Sequence, residues 1–251
     1  MESFMLTDRK AVVTGGAGGI GQSIALAFAE MGADVALLDL HEAIDTVDRI
    51  EKLGRRAFSY TVDLTDEPSV IRVFEEILRD LSTIDILFNG AGICIVAPAQ
   101  EMSYDQWKKV VSVDLNATFL VAREAGRAMI RSGRGGSIIN VASMSGHIVN
   151  QPQHHSGYNA AKAGVIQLTK SLAVEWAEYG IRVNAMSPGY IATPMTLPGY
   201  EELGDRWFST APMKRLGRPE ELQGLAVYLA SDASTCVTGS DIVIDGGYTL
   251  V

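Results

Sequence analysis

The sequence predicts one α/β domain in which helices cover both faces of a parallel sheet. Seven short runs rich in β-branched and apolar residues alternate with longer segments of helical periodicity. Most of the short runs are apolar at every position rather than at alternate positions, which is typical of parallel strands buried on both faces. The 251 residues contain no repeat, low-complexity tract or linker, so residues 1–251 are expected to form a single domain.

The elements follow one another in a strand-helix-strand order, which implies right-handed crossovers. The predicted strands cover residues 11–14, 35–38, 58–62, 84–88, 137–141, 181–184 and 241–244. The predicted helices cover residues 20–31, 41–53, 67–80, 104–131, 158–179 and 219–229. Residues 187–217 are rich in proline and glycine and show no clear element. Because long loops in compact domains are usually functional, we expect a substrate loop or lid over about residues 188–217.

Charge and composition exclude several classes of protein. Thirty acidic and 21 basic side chains leave a net charge of −9, and no lysine or arginine block marks a nucleic-acid surface. The N-terminal segment is charged where a signal peptide is apolar, and no apolar stretch is long enough to span a bilayer. We therefore expect a cytoplasmic protein with no membrane or nucleic-acid partner, in which Cys94 and Cys236 are free thiols.

A glycine cluster directly follows the first predicted strand and runs into the first predicted helix. It reads Thr14-Gly-Gly-Ala-Gly-Gly-Ile-Gly21. Glycines at such a turn let the backbone and the helix N-terminus approach a pyrophosphate closely. The alternative is an ordinary strand-to-helix turn, but the position after the first strand favours a dinucleotide site.

The cofactor is expected to be NAD, because Asp39 ends the second predicted strand about 20 residues further on. A carboxylate there can bond both hydroxyls of the adenosine ribose and would repel a 2′-phosphate. Neither Ala17 nor Gly18 supplies the cation that a 2′-phosphate would need. The alternative is a solvated acidic residue at the end of a strand.

Three polar residues form a candidate catalytic group. Ser143 follows the fifth predicted strand, and Tyr158 and Lys162 are four residues apart, so they share one face of a helix. The pKa of an unperturbed tyrosine is about 10, and a neighbouring ammonium, joined by the cation of an oxidised nicotinamide, is expected to lower it. Tyr158 could then donate or accept a proton while Ser143 orients a carbonyl or carbinol oxygen.

With these residues in place, the sequence resembles the classical short-chain dehydrogenase/reductase family over essentially its whole length. The matching motifs are Thr14-Gly15-x-x-x-Gly19-x-Gly21, Asp63-Leu64, Asn89-Gly90-Ala91-Gly92, Ser143, Tyr158-x-x-x-Lys162 and Pro188-Gly189. The resemblance implies a single-domain Rossmann fold with a seven-stranded parallel sheet, a homotetramer, and hydride transfer to or from nicotinamide. It implies that the tyrosine is the acid/base, that the lysine lowers its pKa and holds the nicotinamide ribose, and that the serine positions the substrate.

The glycine cluster and the resemblance together define the expected cofactor contacts. These are Gly15, Gly18, Gly19, Ile20, Gly21, Asp39, Leu40, Asp63, Leu64, Asn89, Gly90, Ala91, Gly92, Tyr158, Lys162, Pro188, Gly189, Ile191 and Thr193.

The chain departs from the family pattern at two positions. Gly90 replaces the second asparagine of the usual Asn-Asn-Ala-Gly, which should remove one polar contact but keep the turn. Asp114 replaces the asparagine of the family's usual Val-Asn-Leu. The family role of that asparagine is mostly to shape a helix kink whose carbonyl holds a water in the proton relay to lysine. Asp114 is kept as a fourth catalytic candidate, with a purely structural role as the alternative.

The segment between Ser143 and Tyr158 predicts the class of substrate. Its neutral donors and acceptors suit a polyhydroxylated molecule better than a steroid or a fatty chain. Parts of it are similar to sugar-alcohol dehydrogenases and ketose reductases of the galactitol, arabinitol and sorbose type. The substrate candidates are Ser143, Ser145, His147, Asn150, Gln151 and Tyr158. The segment's histidines lack the partners that would complete a zinc site, so no metal is expected.

The leading hypothesis is an NAD-dependent enzyme that interconverts a polyol, or a small secondary alcohol, and a ketose or hydroxyketone. The first alternative is a 3-oxoacyl-thioester reductase, which shares the motifs but would need a basic entrance for its carrier. A non-catalytic NAD-binding protein is the second alternative, and only Asp114 supports it. Bulky apolar residues between Met195 and Phe208 would form either a helical lid or a packing surface.

Overall fold

A computed structural model describes residues 2–209 and 211–251, which form a seven-stranded parallel sheet in the order β3-β2-β1-β4-β5-β6-β7. The strands are β1 (Lys10–Thr14), β2 (Asp34–Asp39), β3 (Ala57–Thr61), β4 (Ile86–Asn89), β5 (Gly136–Val141), β6 (Ile181–Pro188) and β7 (Asp241–Ile244). The helices are α1 (Gly19–Glu30), α2 (Ile44–Lys52), α3 (Glu67–Leu81), α4 (Tyr104–Val111), α5 (Ala117–Ser132), α6 (Ser156–Trp176), α7 (Leu197–Phe208) and α8 (Gln223–Ala230). The predicted fold class is confirmed.

Apolar side chains are buried on both faces of the sheet, as the continuous apolar strands predicted. Within β1, Val13 packs into the core formed with α1 and α8, whereas Val12 packs into the core formed with α3 and α5. In the first of these cores the ring of Phe28 meets that of Phe88 edge-on, with centroids 6.4 Å apart. Across the described residues, no helix has both the length and the apolar character that crossing a bilayer requires.

The strand order reverses at β1, which lies between β2 and β4. Thr14, at the end of β1, is in register with Leu38 on one side and Asn89 on the other. The carboxyl ends of all three strands therefore open onto one crevice. In open α/β sheets, ligands bind in the crevice at such a reversal.

The structure differs from the prediction in two places near that crevice. The predicted helix over residues 104–131 is divided by a π-turn at Ser112–Asn116, where the N–H of Ala117 donates to the carbonyl of Ser112. A π-turn has no simple periodicity signal, and such turns often lie at functional sites. Strand β6 extends to Pro188, and the segment predicted as a loop contains α7.

Candidate active site

The glycine cluster forms the turn between β1 and α1 that the sequence predicted. Gly15 and Gly19 have φ values of +74° and +55°, in the left-handed region that favours glycine. A Cβ at Gly21 would overlap the carbonyl of Gly15, whereas a Cβ at Gly18 would meet nothing within 4 Å. Gly21 therefore allows close packing of α1 on β1, and Gly18 presents bare backbone at the rim of the crevice.

A cavity of about 150 Å³ opens beside this turn at the ends of β1 to β4. Seven of the predicted cofactor residues line it: Gly15, Asp39, Leu40, Asp63, Leu64, Ala91 and Gly92. The described part of its lining carries no lysine or arginine. An apolar slot bordered by two carboxylates fits the adenosine half of a dinucleotide.

Asp39 is held in place by the backbone around it. Its Oδ2 accepts a hydrogen bond from the N–H of Ala17 at 3.1 Å, and its Oδ1 accepts one from the N–H of His41 at 3.1 Å. The first bond ties the end of β2 to the glycine turn. The carboxylate thus has a defined position beside the cavity, as a ribose-binding group requires.

Asn89 has a different role from the one expected. Its side chain is buried; Nδ2 donates to the carbonyl of Thr118 at 2.8 Å, and Oδ1 accepts from Thr14 Oγ1 at 3.3 Å. It joins β4 to α5 rather than lining the cofactor cavity. At Gly90, an added Cβ would lie 2.7 Å from the ring of Phe88, which explains why glycine replaces the usual asparagine.

The remaining cofactor candidates lie after β6 or at the start of α1. Thr193 packs over the glycine turn, with its methyl group 3.6 Å from the position of a Cβ on Gly19. Gly189 follows β6, and its N–H donates to the carbonyl of Ile244 at 3.0 Å. The side chain of Ile191 is instead buried in the core shared with α1, against which Ile20 also packs. A direct contact from the side chain of Ile191 is therefore not supported.

Ser143, Tyr158 and Lys162 come together at the carboxyl end of β5. The Oγ of Ser143 accepts from the N–H of Ser145 at 3.1 Å, and the phenol of Tyr158 interacts with this same hydroxyl. Lys162 lies one turn after Tyr158 on α6, with its Nζ 5.6 Å from the centre of the tyrosine ring. That ammonium is only 3% exposed and donates to the carbonyl of Val141 at 2.9 Å. The predicted arrangement of the three residues is present.

The π-turn brings Asp114 into contact with this group. Its side chain is fully buried, and its Oδ1 lies 4.0 Å from Lys162 Nζ and accepts from the N–H of Ile93 at 2.8 Å. Its Oδ2 has no hydrogen-bond partner among the described residues. Burial raises the pKa of Asp114 from 3.8 to about 6, although the ammonium of Lys162 opposes that rise. A Cβ at Gly92 would lie 2.6 Å from Oδ1, so only glycine leaves room for this carboxylate.

The pKa of Tyr158 differs from the expectation. Burial raises it well above the usual range, the charge of Asp114 raises it further, and the hydrogen bond with Ser143 only partly offsets them. The expected lowering by Lys162 is therefore not what dominates. The physical reason is that burial disfavours the phenolate most, and that Asp114, whose Oδ1 lies 4.0 Å from Lys162 Nζ, adds a negative charge near the same phenol.

A second cavity, of about 380 Å³, lies between the catalytic group and α7. Ser143, Ser145 and Tyr158 line it, together with residues that the sequence analysis did not assign to the substrate: Cys94, Gln153, His155, Tyr190, Glu202 and Trp207. The described lining contains no lysine or arginine. Within it, Trp207 of α7 stacks on Tyr190 with centroids 4.0 Å apart. Helix α7 therefore forms one wall of the cavity, which supports a lid more than an isolated packing surface.

Three predicted substrate residues do not line this cavity. His147 points to β7, where its Nε2 lies 2.6 Å from Asp241 Oδ2. Gln151 is exposed. Asn150 is only 1% exposed; its Oδ1 accepts from Ser145 Oγ at 2.6 Å and its Nδ2 donates to Tyr190 OH at 3.2 Å. The predicted substrate contacts of His147 and Gln151 gain no support from this cavity and stay predictions, and Asn150 supports two residues that line it.

Comparison with known proteins agrees with this geometry. A family model described as Enoyl-(Acyl carrier protein) reductase matches residues 15–249. Sorbose reductase of Candida albicans is 44% identical, over 99% of this chain and 90% of its own. A probable NADP-dependent mannitol dehydrogenase of Yarrowia lipolytica is 42% identical, over 99% and 90%. The crystal structure of a short-chain type dehydrogenase/reductase from Mycobacterium marinum superposes with a TM-score of 0.97 at 43% identity, over 100% of this chain and 99% of that one.

This chain belongs to the short-chain dehydrogenase/reductase family. It is therefore an oxidoreductase that acts on CH–OH groups with a nicotinamide cofactor. The residues lining the two cavities fit that assignment, since one cavity suits an adenosine moiety and the other adjoins an acid/base tyrosine. Among residues 2–209 and 211–251, no group of three or more His, Cys, Asp or Glu side chains is arranged to hold a metal ion.

Proposed function

We propose that this dehydrogenase interconverts neutral polyols and the corresponding ketoses with NAD(H), and that Tyr158 is the acid/base. The observation that supports the substrate class is the chemistry of the cavity beside Tyr158. Gln153, His155 and Ser145 offer uncharged donors and acceptors there, next to apolar surface from α7. Burial lowers the pKa of His155, which keeps that imidazole neutral near pH 7. Several neutral polar groups on one wall suit a substrate with several hydroxyls.

The same cavity argues against anionic substrates. The described lining has no lysine or arginine, and Glu202, which is exposed, adds a carboxylate to it. A sugar acid or a phosphopantetheine carrier would be repelled by this carboxylate, and the net charge of −9 acts in the same direction. The 3-oxoacyl-thioester reductase remains the second candidate, because the matching family model is described as a reductase of acyl carrier protein substrates.

The catalytic side chains have separate roles in the proposed reaction. In ketose reduction, the phenol of Tyr158 donates its proton to the carbonyl oxygen while the Oγ of Ser143 hydrogen-bonds that oxygen. In polyol oxidation, the same phenol oxygen accepts the proton of the reacting hydroxyl. Lys162 lies beneath the tyrosine and would hold the nicotinamide ribose. The bound nicotinamide supplies or accepts the hydride.

NAD is proposed as the preferred cofactor because of Asp39 and the cavity beside it. The carboxylate is held by two backbone N–H groups at the place of the adenosine ribose, and the described lining offers no positive charge. A relative such as the mannitol dehydrogenase carries an NADP-dependent name, so the proposal rests on these residues of this chain. A homotetramer and a cytoplasmic location remain predictions from the resemblance and the composition.

One substrate panel tests the proposed activity. NADH formation would be followed with tetritols, pentitols, hexitols and small diols, while the reduction of an acetoacetyl thioester is measured beside it. We expect turnover of at least one sugar alcohol and negligible thioester reduction. Faster turnover of the thioester would replace the polyol proposal by the second candidate, and no turnover of any substrate would favour a non-catalytic protein.

Two matched glutamines test the substrate contacts. Gln153 lines the cavity, whereas Gln151, two residues earlier, is exposed. Gln153→Ala should lower kcat/KM for a hexitol roughly 5- to 150-fold, because a buried hydroxyl left without a partner costs about 1–3 kcal/mol. The same variant should affect a simple secondary alcohol such as 2-butanol far less. Gln151→Ala is the control and should leave kcat/KM unchanged for both the hexitol and 2-butanol. Equal losses on both alcohols with Gln153→Ala would contradict the assigned contact.

A further inference from the structure

Two oppositely charged groups are buried together behind the catalytic tyrosine. The carboxylate of Asp114 is fully buried and the ammonium of Lys162 nearly so, with 4.0 Å between Oδ1 and Nζ. One oxygen of the carboxylate accepts from the N–H of Ile93, and the other has no partner in the described part of the chain. The pair is therefore held in place, but its hydrogen-bonding capacity is not fully used. Because the site is buried, a change in charge on either group changes the electrostatic energy of the groups next to it.

The ionisable groups around Asp114 come from helix α6 and from the segment that follows β4. Helix α6 contributes Lys162 and Tyr158, and the segment after β4 contributes Cys94. Helices α4 and α5 also pack against the π-turn, but no ionisable group of either is among those that shift the pKa of Asp114. Among the described residues, Lys162 is thus the positive charge that acts on this carboxylate. The charge of Asp114 in turn partly cancels the effect of the ammonium on the phenol of Tyr158.

The geometry points to Asp114 as a positioning residue, whose negative charge offsets that of Lys162 and holds the proton on Tyr158. The phenolate of Tyr158, which is the base in alcohol oxidation, therefore forms only at a higher pH than it would with asparagine at position 114. While Asp114 is ionised, Tyr158 remains the acid that ketone reduction requires. When Asp114 is neutral, the ammonium acts on the phenol without opposition.

The direction of each shift agrees with this assignment. The charge of Asp114 raises the pKa of Tyr158, and burial raises the pKa of Asp114 itself to about 6. The carboxyl is therefore mostly ionised near pH 7 and becomes protonated only in mildly acidic solution. An asparagine at the same place would leave the side chain uncharged at every pH.

Kinetics of Asp114→Asn test the inference. The pH dependence of kcat/KM would be measured for D-mannitol oxidation, and for 2,3-butanediol if mannitol is not turned over. We expect the midpoint of the rise with pH to move down by about one pH unit or more in the variant, since an opposed charge is removed. Asp105→Asn removes the same charge from an exposed position on α4 and should leave the midpoint in place. A loss of rate at all pH values without a shift would overturn the inference.

A second measurement uses the cofactor-free wild-type protein and does not require the variant to fold. Infrared spectra between pH 4 and pH 8 should show a protonated carboxyl band that disappears with a midpoint near pH 6, and Asp114→Asn, where it folds, should lack that band. Persistence of that band up to pH 8 in the wild type would mean that Asp114 stays uncharged, and it would overturn the inference. The inference rests on the proposed acid/base role of Tyr158 but not on the choice of polyol. If no polyol is turned over, the inference on Asp114 can therefore still be tested with 2,3-butanediol.

Discussion

The buried carboxyl of Asp114 should make the stability of the protein depend on pH in a way that Asp114→Asn removes. In the unfolded chain the carboxyl has its ordinary pKa of 3.8, and in the folded chain burial raises that pKa to about 6. Between these two values the folded state binds more protons than the unfolded state. The free energy of unfolding therefore falls as pH rises through this window, because ionisation is easier in the unfolded chain.

The size of the effect follows from the shift. A difference of about two pKa units corresponds to about 3 kcal/mol, at about 1.4 kcal/mol per unit. The free-energy cost of burying the ionised carboxyl is absent below about pH 3, where the carboxyl is protonated in both states, and complete above about pH 7, where it is ionised in both. The absolute stability of Asp114→Asn also includes the loss of a counter-charge for Lys162. The way in which the difference in unfolding free energy between wild type and variant varies with pH reports the ionisation of the Asp114 carboxyl alone.

Urea unfolding of both proteins at a series of pH values measures this difference. At equal protein concentration, the unfolding free energy of the wild type minus that of Asp114→Asn should fall by up to about 3 kcal/mol between pH 3 and pH 7. The exposed control Asp105→Asn should give a flat difference over the same range. If the Asp114 difference were equally flat, the carboxyl would not be held against ionisation, and our account of its burial would be wrong.

Three further predictions follow from individual side chains. Tyr158→Phe should lower kcat by about 10²- to 10⁴-fold while NADH still binds, as followed by its fluorescence; retained turnover would remove Tyr158 from the chemistry. Asp39→Ser should narrow the ratio of NAD to NADP activity by about tenfold or more, because a charge that repels a 2′-phosphate is lost; an unchanged ratio would refute this account of cofactor choice. Asp34 is buried, which opposes its ionisation, but hydrogen bonds and ion pairs from basic neighbours lower its pKa to about 2. The stability this carboxylate provides should be present above pH 4 and lost as pH falls through 2, and Asp34→Asn should lower the unfolding free energy at pH 7 by about 2 kcal/mol in urea titrations.

Much of this protein could be predicted from local spacing along the chain. Apolar runs of four or five residues form strands buried on both faces, so Val12 and Val13 could both be assigned to a core without knowing their neighbours. Tyr158 and Lys162 share a helix face because four residues make about one turn. The position of Asp39 at the end of the second strand determines that it lies beside the glycine turn, because parallel strands end at the same edge of the sheet.

Other features depend on how distant segments pack, and the sequence alone could not decide them. The polar segment after Ser143 contributes residues to the cavity beside Tyr158, but which of its side chains enter the cavity depends on the course of the loop. His147 lies against β7 and Gln151 faces solvent, whereas Gln153 lines the cavity. Periodicity carries no information on such a choice where the backbone follows no regular helix or strand.

The proximity of Asp114 to Lys162 is the clearest case of tertiary control. The two residues are far apart in the sequence, and the π-turn that directs the carboxylate inward depends on a hydrogen-bonding pattern that the amino-acid spacing does not encode. The identity of the residue at position 114 could be read directly, and so could its departure from the family pattern. Its burial, its 4.0 Å separation from the ammonium and the resulting shift in the pKa of Tyr158 arise only when α4, α5 and α6 pack together, because desolvation is a property of the surroundings and not of the residue.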